Sequence, residues 1–314
     1  MTRNKMRKIN KQPLVSVIMP VYNAGDFLRP AIKSILKQTY KNFELIIIDD
    51  ASTDNSWAII KDFKTKNPRK IITIKLKRNL NKGGDACANV GYRKAKGEFV
   101  ARMDADDISD PKRLEKQVDY LLKNKDIFMV GTQAWVIDKK GEIIGEKKVP
   151  QSSGDIYKNY FVFHPMIHPT IMLRKKQVER KNLYKTFYSA NNDLFTFLGF
   201  LKDKKFVNLP EKLLYYRVHD KNDSFNGIKE KFFNTLKIRF WAIKKLGFKP
   251  TPRVLGLNLI QLLVVSLLPE KLIFVLYMLA KGIYSPKELV VSLVKRLRVF
   301  FSPIGVKLSY VLQS

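Results

Sequence analysis

The sequence predicts an α/β fold, a mostly parallel, doubly wound sheet flanked by helices and followed by a basic, apolar α-helical C-terminal extension. Three observations carry this. From Leu14 to about Leu122, short apolar runs alternate with stretches whose apolar residues recur at helical spacing, the signature of βα units. The runs are apolar almost without interruption, as in Leu45-Ile46-Ile47-Ile48, which suits strands covered on both faces. After His219 the composition changes: residues 221–314 hold 16 Lys/Arg against 4 Asp/Glu, interleaved with apolar stretches.

Taken in order, strands are expected at Leu14–Met19, Phe43–Ile48, Ile71–Leu76, Glu98–Met103 and Ile127–Gly131. Between them, Leu28, Ile32, Ile35 and Leu36 define one helical face and Trp57, Ile60 and Phe63 another, with Asp26 and Asp54 placed as N-caps. A third helix, carrying Leu114, Val118, Leu121 and Leu122, follows Pro111, a good first-turn residue. Trp135-Val136-Ile137, a turn at Asp138-Lys139-Lys140-Gly141 and Ile143-Ile144 read as a hairpin. A helix is expected over Asn192–Leu201, then a strand pair around Phe206 and Leu213–Tyr216. The expected division is a basic tail (1–12), a main domain (13–225) and a helical extension (226–314).

In the extension, the apolar runs Val254–Leu268 and Leu272–Ala280 are separated by Pro269-Glu270-Lys271. Each is shorter than the ~20 residues a spanning helix needs, so a helical hairpin dipping into the membrane interface fits better than two spans. Further on, Leu289, Val290, Leu293, Leu297, Val299 and Phe300 accompany Lys295, Arg296 and Arg298, the pattern of a basic helix on anionic lipid. The competing reading has these helices capping the core or pairing with another subunit.

The chain has 314 residues, 45% of them apolar and 11% aromatic, enough for a substantial core and incompatible with wholesale disorder. Lys and Arg number 59 against 28 Asp and Glu, a net charge of +31. Such a field attracts polyanions: nucleic acid, anionic lipid or a phosphate-bearing substrate. A lone cysteine, Cys87, excludes an intramolecular disulfide and a thiolate cluster and suits a reducing compartment. No secretion signal is expected after the basic N-terminus, and the expected location is cytoplasmic, at the inner face of a membrane.

In a doubly wound sheet, ligands bind at the carboxyl ends of the strands. Three polar clusters fall there: Pro20-Val21-Tyr22-Asn23, Asp49-Asp50 and Asp104-Ala105-Asp106-Asp107. Carboxylates gathered at one edge repel each other unless a cation or hydrogen-bond donors compensate. Mg²⁺ or Mn²⁺, held by one or two carboxylates plus substrate phosphates, is the economical explanation. The bland alternative is that Asp107 and Asp110 cap a helix and that Asp49 and Asp50 close a loop. Asn81-Lys82-Gly83-Gly84 leads into a helix, and glycine lets backbone amides approach phosphate.

The strings Val15-Ser16-Val17-Ile18-Met19-Pro20-Val21-Tyr22-Asn23, Ile48-Asp49-Asp50-Ala51-Ser52-Thr53-Asp54 and Ala101-Arg102-Met103-Asp104-Ala105-Asp106-Asp107 together resemble a family 2 glycosyltransferase with the GT-A, Rossmann-like fold. The resemblance covers roughly Pro13 to Ser224. It implies that Pro20, Val21 and Tyr22 line the base and ribose pocket, that Asp50 accepts from the nucleobase imide, that Asp104 contacts sugar or ribose, and that Asp106 binds the metal bridging the diphosphate. Gly83 and Asn89 match the family's Asn-x-Gly…Asn segment, where Ala88 replaces a frequently basic residue. The family's acceptor-side base, normally the Asp of a Glu-Asp pair before a Leu-Pro-Glu segment, falls on Asp193, with Asn192 in place of the Glu. A competing register puts Asn191 at the base position and leaves none. Tyr216-Arg217-Val218-His219 resembles the closing Tyr-Arg-x-His segment, which implies a metal or diphosphate contact for His219 and phosphate neutralisation by Arg217. His164 and His168 fall in the segment expected to face acceptor, where a structural role in a Pro-rich turn is the favoured reading. Cys87 is expected to be packed.

The reaction implied is metal-dependent inverting transfer of a sugar, UDP-linked by resemblance, to a hydroxyl of a glycan or lipid-linked acceptor. The rival readings are a nucleotide-sugar-binding protein without turnover and a basic nucleic-acid-binding protein; no specific nucleic-acid site is expected. The oligomeric state is left open.

Overall fold

The structure is a computed structural model that describes residues 12–81, 84–178, 180–219, 227–270, 272–273 and 275–276. Nearly all of the basic tail, Gly83, most of Leu272–Ala280 and the basic helix expected around 289–300 therefore lie outside the described residues. The chain runs β1 (Val15–Val21), α1 (Gly25–Leu36), β2 (Phe43–Asp49), α2 (Ser56–Lys66), β3 (Ile71–Lys75), α3 (Asp85–Lys94), β4 (Phe99–Arg102), β5 (Ile108–Ser109), α4 (Arg113–Lys123) and β6 (Ile127–Ile137). Then follow β7 (Ile143–Lys147), α5 (Ser153–Asn159), β8 (Met172–Arg174), α6 (Asn192–Leu201), β9 (Lys205–Arg217), α7 (Ile228–Leu246) and α8 (Pro252–Leu267).

The strands form one sheet in the order β3-β2-β1-β4-β8-β6-β9-β5, with β7 hydrogen-bonded to β6. The β3-β2-β1-β4 half is parallel. Beyond it β8 pairs antiparallel with both β4 and β6, and β6 and β9 are parallel. Strand periodicity divides the core. Val15, Val17, Met19, Leu45 and Ile47 face α1, α2 and α4, whereas Ile18, Ile46 and Ile48 face α3 and, further along, α5 and α6. Both faces of these strands are covered, which is why the sequence shows continuous apolarity where a one-sided sheet would alternate. Gly91 lets α3 press onto that sheet: a β-carbon there would lie 2.6 Å from Ile48 Cδ1 and 2.8 Å from Ile18 Cγ2.

Three local expectations are corrected. Asp26 lies in the first turn of α1 behind Ala24 at the N-cap, and Asn55 precedes α2. Asp54 works across the two helix starts, accepting from Gly25 N at 2.9 Å and Ser56 N at 2.9 Å, so one carboxylate satisfies orphan donors of both helices. The strand pair around Phe206 and Leu213–Tyr216 is one 13-residue strand, β9, whose register against β6 shifts along its length. Bulges absorb Pro210, which ends ladder bonding locally because it has no N–H. The helix at Asn192–Leu201 and the fully buried Cys87 are found as expected; the hairpin forms too, but its first arm is the end of β6, continuous with the strand expected at Ile127–Gly131.

Candidate active site

The parallel half brings the carboxyl ends of β1, β2 and β4 side by side. Val21 pairs with Asp49 and Ile18 with Arg102, and Met103 N donates to Ile18 O at 3.0 Å, so Asp104 emerges beside the chain leaving β1. The loops after β1 and β2 are tied together: Asn23 N donates to Ser52 Oγ and Asn23 Oδ1 accepts from Thr53 N at 2.8 Å. Tyr22 is 54% exposed at this edge. Val21 is not available to line a pocket, because its side chain sits in the core and its carbonyl accepts from Asp50 N at 2.8 Å. Asp50 itself is buried, accepts from Leu80 N at 3.0 Å, and has its pKa raised by burial and by Asp49 against that hydrogen bond.

Gly84, at φ +77, turns the chain into α3. A β-carbon there would sit 3.2 Å from the Arg102 guanidinium and 3.8 Å from Pro20, so the position favours glycine on conformation and on space.

Asp106 and His219, the two residues expected to bind metal, meet: His219 Nε2 lies 3.0 Å from Asp106 Oδ2. Phe27 stacks on the His219 ring at 4.7 Å between centroids and also carries Arg217 at 4.9 Å over its face. Asp104 accepts from Arg102 Nε at 2.9 Å. Among the described residues no cluster of three or more His, Cys, Asp or Glu could by itself hold a metal. The Asp106 carboxylate nevertheless suits Mn²⁺ or Mg²⁺ when substrate phosphates complete the coordination sphere, and the His219 imidazole beside it favours Mn²⁺ of the two.

Two expected contacts are corrected. Arg217 is buried and donates to the carbonyls of Asp106 at 2.8 Å, Asp138 at 2.8 Å and Lys139 at 3.1 Å, while its backbone N–H goes to Asp107 Oδ1. It braces the Asp106 loop against the β6–β7 turn rather than facing a phosphate. Asn89 is likewise buried, and both ends of its amide bond the backbone of Tyr184, at 2.9 and 2.8 Å. Its carboxamide is spent on holding that segment to α3, not on ligand.

Asp193 opens α6. Its carboxylate accepts from Leu194 N at 2.8 Å and lies 3.2 Å from His164 Nε2 and 3.8 Å from His168 Nδ1. His164 Nδ1 accepts from Met166 N, which puts the ring proton on Nε2, close to the carboxylate but not aligned with it as a hydrogen bond. Burial opposes ionisation of Asp193, but His164, His168 and the Leu194 N–H outweigh it and lower its pKa. The competing register is resolved geometrically. Asn191, at φ +61, donates to Lys231 O and Thr235 Oγ1, and Asn192 is clamped to the backbone of Tyr188. Of the three, Asp193 alone turns its side chain to the histidines.

His168 Nε2 contacts Tyr184 Oη at 2.7 Å and lies 3.9 Å from Asp85. Asp85 sits 3.8 Å from Arg102, whose guanidinium also holds Asp104. A continuous polar chain thus runs Asp104–Arg102–Asp85–His168–Asp193. Burial and the Asp193 charge push the Asp85 pKa well up, against Arg102. Burial and then Arg102 bring the His168 pKa down to about 4, leaving it neutral near pH 7. Asp85, Arg102, His164, His168, Tyr184 and Phe27 were not singled out by sequence reasoning as site residues. Their one readable signal was the His-Pro pairs in the segment expected to face acceptor.

The sequence model of glycosyl transferase family 2 matches residues 16–183. An uncharacterized glycosyltransferase of Methanocaldococcus jannaschii is 35% identical over 240 residues, covering 74% of this chain and 81% of that protein. An Escherichia coli UDP-Glc:alpha-D-GlcNAc-diphosphoundecaprenol beta-1,3-glucosyltransferase is 39% identical over 139 residues, 44% of this chain and 52% of that one. In structure, a Pyrobaculum calidifontis mannosyltransferase in complex with GDP-Man and Mn²⁺ superposes with a TM-score of 0.58 at 17% identity, covering 92% of this chain and 81% of that chain. The fold is GT-A, and the chain belongs to glycosyl transferase family 2.

Proposed function

We propose that this glycosyltransferase moves a sugar from a nucleotide diphosphate, with UDP as the expected nucleotide, to a hydroxyl of a saccharide or lipid-linked glycan, with inversion at the anomeric carbon. The observation that carries the reading is two groups of opposed function: Asp106 with His219 on the donor side, and Asp193 set between His164 and His168 on the other. Tyr22 and Asp50 would receive the base, and Asp104 the sugar or ribose. Asp106 and His219 would hold a divalent cation, which supplies charge neutralisation for the leaving diphosphate. Asp193 would accept the proton of the acceptor hydroxyl as its oxygen attacks the anomeric carbon opposite the nucleotide, and His164 would keep the carboxylate oriented. The nucleotide leaves with the bonding electron pair, so no covalent enzyme intermediate is required.

A UDP-glucose donor and a diphosphoundecaprenol-linked acceptor are what the Escherichia coli relative's name states of that protein, which favours this pair as the first substrates to try. Nucleic acid fits the site poorly, since Asp50, Asp104 and Asp106 would repel a polyanion without metal. The test compares wild type with Asp106→Asn and Asp193→Asn in donor binding and transfer, with and without Mn²⁺ or Mg²⁺. Asp106→Asn is expected to weaken metal-dependent donor binding. Asp193→Asn should spare binding and lower transfer by at least about 100-fold, the scale of general base catalysis. Wild-type transfer rates in both variants would refute the assignment.

A further inference from the structure

Helix α8 is built inside out. Its two amide side chains face the protein: Asn258 Nδ2 donates to Phe161 O at 2.7 Å, Gln261 Nε2 donates to Val162 O at 3.2 Å, and both side-chain carbonyls accept from the buried Arg239 of α7. The outward side carries Leu255, Leu257, Leu259, Ile260, Leu263 and Leu267, all exposed, with Leu267 at 79%. The rotation is imposed by the polar contacts. A buried guanidinium needs acceptors and the 161–162 carbonyls need donors, so turning the leucines inward would orphan all of them.

We infer that the leucine face of α8 is a docking surface for an anionic lipid bilayer. An apolar face of six exposed aliphatic side chains, interrupted only by the small Ser266, marks an interaction site, and charge selects the occupant. Lys237, Lys244, Lys245, Lys249 and Arg253 are exposed on α7 and the turn into α8, while between residues 227 and 268 the only acid is Glu230. A second copy of the chain would bring the same cations against these. The chain's own residues 277–314 carry 6 Lys/Arg against one acid and would do likewise. Anionic headgroups satisfy the cations while acyl chains receive the leucines. No described helix is long and apolar enough to cross a membrane, so α8 lies in the interface.

The placement deepens the lipid-linked acceptor reading, on which it rests for its purpose though not for its chemistry. α8 is bonded to Phe161 and Val162, just before His164, and α7 receives Asn191, two residues before Asp193. The docking platform is thus fastened to both segments that carry the proposed base and its histidine.

The experiment is flotation of the full chain with vesicles of phosphatidylcholine, alone or mixed with phosphatidylglycerol, at low and high salt, without donor or acceptor. Wild type should bind the mixed vesicles and stay partly bound at high salt, because apolar insertion is not screened. Leu259→Gln/Leu263→Gln should lose at least about 10-fold in partitioning with unchanged circular dichroism, melting temperature and donor hydrolysis. As a second readout, Leu263→Cys labelled with an environment-sensitive dye should shift to the blue only when mixed vesicles are added; buried Cys87 is shielded from the label. Undiminished partitioning of the double variant overturns the inference. So does a dye already blue-shifted without lipid, or a wild-type dimer that the double substitution dissociates. Because no transfer is measured, failure here leaves the proposed chemistry standing, and an inactive enzyme that still docks separates the two the other way.

Discussion

His168 shows how a single buried ring registers its surroundings. Its pKa is brought to about 4 in the fold by burial and by Arg102, against about 6.5 for an unfolded histidine. The unfolded chain therefore takes up this proton first as pH falls. Stability is lost from about pH 6.5 downward and levels off below about pH 4, amounting to about 2.5 kcal/mol by pH 4.5 for this one group. Asp50, Asp85 and Asp107, whose pKa values are raised by burial, act in the opposite direction, so the wild-type profile is a sum. The informative measurement is the difference between wild type and His168→Asn in urea unfolding at pH 6.5 and 4.5. Over that interval the variant should be less sensitive to acid by about 2 kcal/mol. Equal slopes would show that the ring is not desolvated as described. This residue also marks how far sequence reading reached. Asp106, His219 and Asp193 were legible because their neighbours form ordered motifs. His168 and Asp85 were not, since what gives them chemistry is a contact across 83 positions that no local pattern announces.

Elements were legible in proportion to their local patterning. β1 to β4 appear within a residue or two of the ends their apolar runs gave, and the helices between them where helical spacing put them. The parts missed depend on partners distant in the chain: the β6–β9 register that makes one strand of two expected ones, and the helix-to-loop bond at Asn89. That bond defines a testable element. Asn89 projects from α3 and satisfies both the N–H and the carbonyl of Tyr184, whose ring sits among Arg102, His168 and Phe197. Asn89→Ala leaves two buried backbone groups without partners, at about 1–3 kcal/mol each. The expected outcome is a loss of about 2–6 kcal/mol in urea unfolding, with nucleotide affinity retained by the folded fraction. A variant of wild-type stability with weakened nucleotide binding would instead restore Asn89 to the ligand-binding set that the family resemblance implied.

For the whole molecule, charge is the property on which composition spoke most plainly, and its consequence for stability follows from arithmetic. With 28 acids and 59 Lys/Arg, ion pairing cannot neutralise the chain even if every carboxylate finds a partner. Several of those carboxylates are drawn into the site, where burial raises the pKa of Asp85 and Asp107 and so works against their negative charge. The surface pairs Arg29–Asp62, Lys66–Asp62 and Lys205–Asp126 are open to solvent and screened by it, so they offset little of the imbalance. Net repulsion therefore dominates the long-range electrostatics and destabilises the compact state. It is felt over about 30 Å at 0.01 M ionic strength and over about 3 Å at 1 M, so adding salt should relieve it while leaving the buried Arg102–Asp104 bond and the core untouched. The melting temperature is expected to rise between these salt levels, by about 2–4 °C for each kcal/mol recovered, with NaCl and KCl acting alike because screening depends on ionic strength. Melting that is flat or falls with salt would mean that local pairs outweigh the net charge, and the excess of cations would then be no burden on the folded state.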